Sequence, residues 1–159
     1  MKTLIDTNIL VHAHDSASPY QKNASELLKS ALAGAIEAVV SIQNIAELYS
    51  VLSSRKRVKR PLNPSEAQHI CKLYLEAPEI PKLIPDAKAL RRALELVSEH
   101  NVAGGDLFDC LLAATMECSE VKRIYTENVS DFERFTNVES IFPFRGKAKH
   151  TLRNEQQKE

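Results

Sequence analysis

The chain has 159 residues, 43% of them hydrophobic and 26% charged, the balance of one globular domain with a sizeable core. Its 21 basic and 21 acidic residues cancel. That excludes a protein that coats nucleic acid by bulk electrostatics, so any such contact has to come from a local patch.

Lys2 to Asp6 is a short apolar run ending on an acid, and it reads as a central strand with Asp6 at its carboxyl end. Thr7 and Asn8 are turn and cap residues, and Ile9 to His14 begins a helix or turn. Ser18-Pro19 starts a second helix, in which Ala24, Leu27, Leu28, Ala31, Leu32 and Ala35 keep helical spacing, with Gly34 near its end. Ala38 to Ser41 is a second buried strand. Ile42, Ile45, Ala46, Tyr49 and Leu52 form the stripe of the following helix, and Glu47 lies roughly 140° around from Ile42, off that stripe.

Arg55 to Arg60 is a basic loop, closed by Pro61 and Pro64. Ser65 caps a helix with Ala67, Ile70, Cys71, Tyr74 and Ala77 on one face, and Pro78 ends it. Lys82 to Pro85 is a minor strand or an extended linker. Asp86 caps a helix with the stripe Ala87, Leu90, Leu94 and Val97, and Gly104-Gly105 breaks the chain. Leu107 to Met116 is apolar on almost every face and reads as a helix packed on all sides, yet it contains Asp109, with Asp106 one turn earlier. Val121 to Thr126 is a third strand, followed by Glu127, Asn128 and Asp131 and by the apolar anchors Phe132 and Phe135. Val138 to Phe142 is the last strand, stopped by Pro143. Residues 1–145 form the expected domain, and 146–159 a polar C-terminal tail.

Cys71, Cys110 and Cys118 are odd in number, lack C-x-x-C spacing and have no histidine at zinc-ligand spacing. They read as reduced thiols. The N-terminus has no signal-like apolar core and no run approaches membrane-spanning length, so the expected location is cytoplasmic, with no membrane contact.

Short apolar strands alternating with longer helical patterns predict an α/β domain: a short, mostly parallel sheet of four or five strands with helices on both faces. Sites in such sheets form beyond the carboxyl ends of the strands. Asp6 and Asp131 fall there, Glu47 lies on the helix after the second strand, and Asp109 on the helix leading into the third. Singly, Asp6 could be a cap, Glu47 a solvated surface acid, Asp131 a loop cap and Asp109 a paired structural carboxylate. Together, four carboxylates repel one another unless compensated, and a hard divalent cation with oxygen ligands is the natural compensation. The chemistry this suits is phosphodiester hydrolysis. No P-loop, G-x-S-x-G elbow or Cys/His nucleophile arrangement is present. His12 and His14, two apart, do not share a helix face.

Four pieces then resemble the PIN-domain nucleases, in particular VapC-type toxins: Leu4 to Leu10, Asn44 to Leu48, Asp109 to Thr115, and Tyr125 to Phe132, followed by a strand ending in Pro143. They occur in family order from Leu4 to Pro143. The resemblance implies a Rossmann-like PIN domain and a Mg²⁺- or Mn²⁺-dependent endoribonuclease. It assigns Asp6, Glu47, Asp109 and Asp131 as catalytic metal ligands. Asp106, which could equally cap the central helix, and Asn128 are additional candidates, and Asn8 and Thr126 orient ligands or waters. It further implies a VapB-type antitoxin and a homodimer. The alternatives are an RNA-processing nuclease without antitoxin and a non-catalytic RNA-binding domain. The basic run Arg55, Lys56, Arg57, Lys59 and Arg60 reads either as a solvated loop or as the positive rim that an acidic metal site needs to draw in RNA phosphates. Neutralising Arg55, Arg57 and Arg60 together is predicted to weaken RNA binding and flatten its salt dependence, measured by fluorescence anisotropy. Unchanged affinity at low salt contradicts the assignment.

Overall fold

A computed structural model describes residues 1–146; most of the polar tail, from 147 on, lies outside the described residues. The strands are β1 (Thr3–Ile5), β2 (Ala38–Ser41), β3 (Lys82–Leu83), β4 (Arg123–Tyr125) and β5 (Glu139–Ile141). The helices are α1 (Thr7–His14), α2 (Gln21–Leu32), α3 (Ile42–Leu52), α4 (Pro64–Glu76), α5 (Ala87–His100), α6 (Leu107–Cys118) and α7 (Val129–Phe132). The five strands run in the order β3-β2-β1-β4-β5, and every pairing is parallel.

Strand alternation divides the core in two. Ile5 and Val40 face a cluster that holds Ile9, Leu10, Leu28, Leu48 and Tyr74 from α1 to α4. Leu4 and Val39 face the other cluster, with Ala93, Leu96, Ala113, Met116, Ile124 and Phe132 from α5, α6, β4 and α7. Helices therefore cover both faces, as a parallel sheet requires. From β1 the chain steps outward to β2 and β3, then returns to place β4 on the other side of β1. The order reverses between β1 and β4, which opens a crevice beyond their carboxyl ends.

Several local expectations are corrected. Helix α4 is capped by Asn63, in a reciprocal box with Glu66, because Pro64 already occupies the first turn and needs no donor partner. In α5 the buried residues are Ala89, Ala93 and Leu96, while Leu90 and Leu94 are 45% and 55% exposed. In α3 the buried face is Asn44, Ile45, Leu48 and Leu52, and Ile42 and Tyr49 turn outward. Helix α6 is central but not enclosed: Phe108, at its start, is 54% exposed.

Ile124 lies at the centre of β4, fully buried between β1 and β5. Ile124→Ala is predicted to cost about 2–5 kcal/mol in urea denaturation, from lost transfer energy and the cavity left. A loss below about 1 kcal/mol, the scale of trimming a single methylene, contradicts this packing.

Candidate active site

The first strand delivers Asp6 to the crevice. Its side chain caps α1, accepting from the Thr7 amide at 2.7 Å. The same oxygen accepts from Asn44 Nδ2 at 3.3 Å. The other oxygen accepts from Thr126 Oγ1 at 2.7 Å and Asn8 Nδ2 at 3.0 Å. Asp6 is only 7% exposed, and burial raises its pKa despite these donors, with Glu47 adding repulsion. Desolvation, helped by Glu47, thus outweighs the hydrogen bonds from Thr126, Thr7 and Asn8.

Glu47 is held on both oxygens, by Thr7 Oγ1 at 2.8 Å and Gln43 Nε2 at 3.0 Å. Gln43 also donates to the Phe108 carbonyl at 3.2 Å, tying α3 to the start of α6. Its amide oxygen is buried without a hydrogen-bond partner. Asp109 lies in the first turn of α6, where the helix dipole favours an anion by about 0.3–1 kcal/mol. That benefit is outweighed: burial, then the charges of Asp131 and Asp6, push its pKa from 3.8 to about 6, while Arg134 opposes the shift.

Asp6, Glu47 and Asp109 line one cavity of about 360 Å³, together with Asn8, His12, Arg57, Glu127 and Asn128. Asp131 is exposed and outside this lining, although its charge acts on Asp109. Asp106 is exposed, and its side chain makes no capping hydrogen bond to α6; its charge too raises the Asp109 pKa. Thr126 is fully buried and Asn8 bridges it to Glu127: Asn8 Nδ2 donates to Thr126 Oγ1 at 3.2 Å, and the Glu127 amide to Asn8 Oδ1 at 3.0 Å. The basic run divides. Arg57 lines the cavity, whereas Arg55, Lys56, Lys59 and Arg60 are exposed around the buried Val58.

Sequence reasoning gave Asn44 no role, yet it is fully buried and binds the Ser41 amide, Asp6 and Thr7. Its signal was a polar residue three positions after a Ser cap, within an apolar helix. Arg134, 3.6 Å from Asp109, was also missed. His12 reaches the cavity, held between Ser18 at 2.7 Å and Glu127 at 3.0 Å, while His14 turns away to the Tyr74 hydroxyl.

Among the described residues, no three His, Cys, Asp or Glu side chains are drawn close enough to form a metal cage. The donor set nonetheless fits Mg²⁺, which keeps several waters and takes only one or two carboxylates directly. Asp6, Glu47 and Asp109 line the same cavity, and the mutual repulsion of their charges adds to the raised pKa values of Asp6 and Asp109, which is the setting a hydrated cation would relieve.

Comparison with known proteins gives a consistent picture. The PIN domain matches residues 3–137. Ribonuclease VapC24 of Mycobacterium tuberculosis is 30% identical over 131 residues, covering 82% of this chain and 89% of that protein. The crystal structure of Mycobacterium tuberculosis VapC20, described as a Sarcin-Ricin loop cleaving toxin, superposes with a TM-score of 0.64 at 13% identity, covering 81% of this chain and 92% of that one. VapBC2 from Rickettsia felis, bound to a DNA fragment from its promoter, gives 0.61 at 23% identity, covering 89% and 98%.

The raised pKa of Asp109 has a stability consequence with a definite sign. Between about pH 4 and 6 the metal-free folded protein holds this proton more tightly than the unfolded chain, so its contribution to stability is lost as pH rises through about 6. Asp109→Asn is therefore predicted to raise the melting temperature in EDTA, with a larger gap over wild type at pH 7.5 than at pH 4.5. A gap that is constant or that narrows with pH contradicts the electrostatic account.

Proposed function

The chain belongs to the PIN domain family, and we propose that it is a divalent-metal-dependent endoribonuclease, the toxin of a toxin–antitoxin pair. The observation that carries this reading is the convergence of Asp6, Glu47 and Asp109 on one cavity at the sheet's switch point. The name of the Mycobacterium tuberculosis relative, a ribonuclease, supports RNA as the substrate.

Asp6, Glu47 and Asp109 are the residues to hold Mg²⁺ or Mn²⁺, directly or through water, with Asn128 and Asp131 completing the set from the start of α7. A bound divalent ion would lower the pKa of an attacking water and neutralise charge developing on the phosphate. The chain's own work is orientation. Thr126 and Asn8 fix one Asp6 oxygen, and Thr7 and Gln43 fix both oxygens of Glu47. Arg57, on the cavity lining, meets an RNA phosphate while the other cations of its loop supply longer-range attraction. The partners in this reading are RNA, a VapB-type antitoxin and a second copy of the chain. The antitoxin is supported by neighbours of the same fold that are toxin–antitoxin complexes. Finding a small DNA-binding protein encoded next to this gene would favour it over an RNA-processing nuclease.

Cleavage of a total RNA pool in Mg²⁺, Mn²⁺ or EDTA, with the cut ends mapped, tests the proposal. Wild type is predicted to cut only with metal, and Asp6→Asn to abolish cutting. Thr126→Val, which removes a hydroxyl that orients Asp6, is predicted to lower metal affinity or activity about 10- to 100-fold. Cleavage retained in EDTA or by Asp6→Asn refutes the mechanism, and no metal-dependent cleavage of any RNA favours a non-catalytic RNA-binding domain.

A further inference from the structure

We propose that Arg134 is a fixed counter-charge of the acidic centre, and that it limits how tightly the centre binds a divalent cation. The inference rests on the metal-site reading above and deepens it. Among the described residues, Arg134 is the only cation in ion-pair range of Asp6, Glu47, Asp109 or Asp131. Its Nη2 lies 3.6 Å from Asp109 Oδ2.

The guanidinium is placed by the fold rather than left to wander. Nε donates to the Asp131 carbonyl at 2.8 Å. The charged group sits 5.3 Å from the centre of the Phe135 ring, a cation–π distance. Phe135 is itself buried and packs edge-on against Phe132 and His100. Arg134 is therefore pinned by the Asp131 carbonyl of α7 on one side and the Phe135 ring on the other.

Position decides what this charge does. Asp109 faces the acidic cavity, whereas Arg134 lines a separate cavity of about 150 Å³, with His100, Phe135 and Asn137. The arginine thus reaches Asp109 without forming part of the acidic cavity's lining. A fixed positive charge there offsets part of the attraction that the carboxylates exert on an incoming cation, and exposed surroundings screen the effect. Arginine suits the task, since it stays protonated and stacks on an aromatic face. The consequence is a centre that holds its metal less tightly than its acids alone dictate.

The test is titration of metal-free protein with Mn²⁺, read by the loss of the free-ion electron paramagnetic resonance signal. Arg134→Met and Arg134→Gln, both neutral, are predicted to tighten Mn²⁺ binding at least threefold at low salt, and the gain is predicted to shrink at high salt. The glutamine variant retains an amide donor for the Asp131 carbonyl, so a folding defect in the methionine variant does not decide the result. Arg134→Lys keeps the charge and is predicted to bind as wild type does. Asp109→Asn is predicted to weaken binding. Unchanged or weaker binding by both neutral variants, with Asp109→Asn still weakened, overturns the role of Arg134 and leaves the metal site standing. No Mn²⁺ binding by wild type overturns both.

Discussion

A buried carboxylate at the end of the first strand is the constraint around which this protein is assembled. Asp6 is almost inaccessible, and an unpartnered acid there is costly. Its partners come from three places far apart in sequence: Thr7 and Asn8 from α1, Asn44 from α3 and Thr126 from the end of β4. Satisfying one side chain therefore locks the strand to the helices on one face and to its neighbouring strand. The Asp6 amide adds a bond to the Tyr125 carbonyl at 3.0 Å, so main chain and side chain close the same junction. Fold and site are one set of interactions here, which is why the site falls at the topological switch point of a parallel sheet.

The hydrogen bonds position Asp6 but do not remove the cost of its charge, because its pKa still rises. Asp109 shows the same imbalance, pushed to about 6 by burial and by its acidic neighbours. The centre thus holds uncompensated negative charge, which a bound cation would relieve. Giving up local stability for pre-placed charge is the usual trade at catalytic sites. Arg134 is a partial compensation built into the chain, close enough to Asp109 to temper the repulsion and absent from the lining of the acidic cavity.

Much of this was legible in the sequence because the strands are short apolar runs and the acids sit where such runs end. The five-stranded parallel sheet and the placement of Asp6 and Glu47 follow from that pattern. What periodicity misread was which helix face is buried. In α5 the large residues Leu90 and Leu94 outweigh the alanines in any apolar count. Yet Ala89 and Ala93 are the buried ones, since small side chains let α5 approach α6 closely. In α3 the buried face contains Asn44, a residue that polarity assigns to the surface. Its partners, the Ser41 amide, Asp6 and Thr7, lie in contacts that only the folded chain brings together. Arg134 was invisible for the same reason: it is 25 residues from Asp109 in the chain, and the Asp131 carbonyl and the Phe135 ring set its guanidinium there.

The central claim is that these acids hold a divalent cation in the crevice beyond β1 and β4. A crystal soaked in Mn²⁺, with data collected at the manganese absorption edge, tests it most directly. The account predicts an anomalous peak in the cavity lined by Asp6, Glu47 and Asp109, with its ligands drawn from those carboxylates and ordered water. A featureless cavity at saturating Mn²⁺, or a peak bound elsewhere on the surface alone, contradicts it.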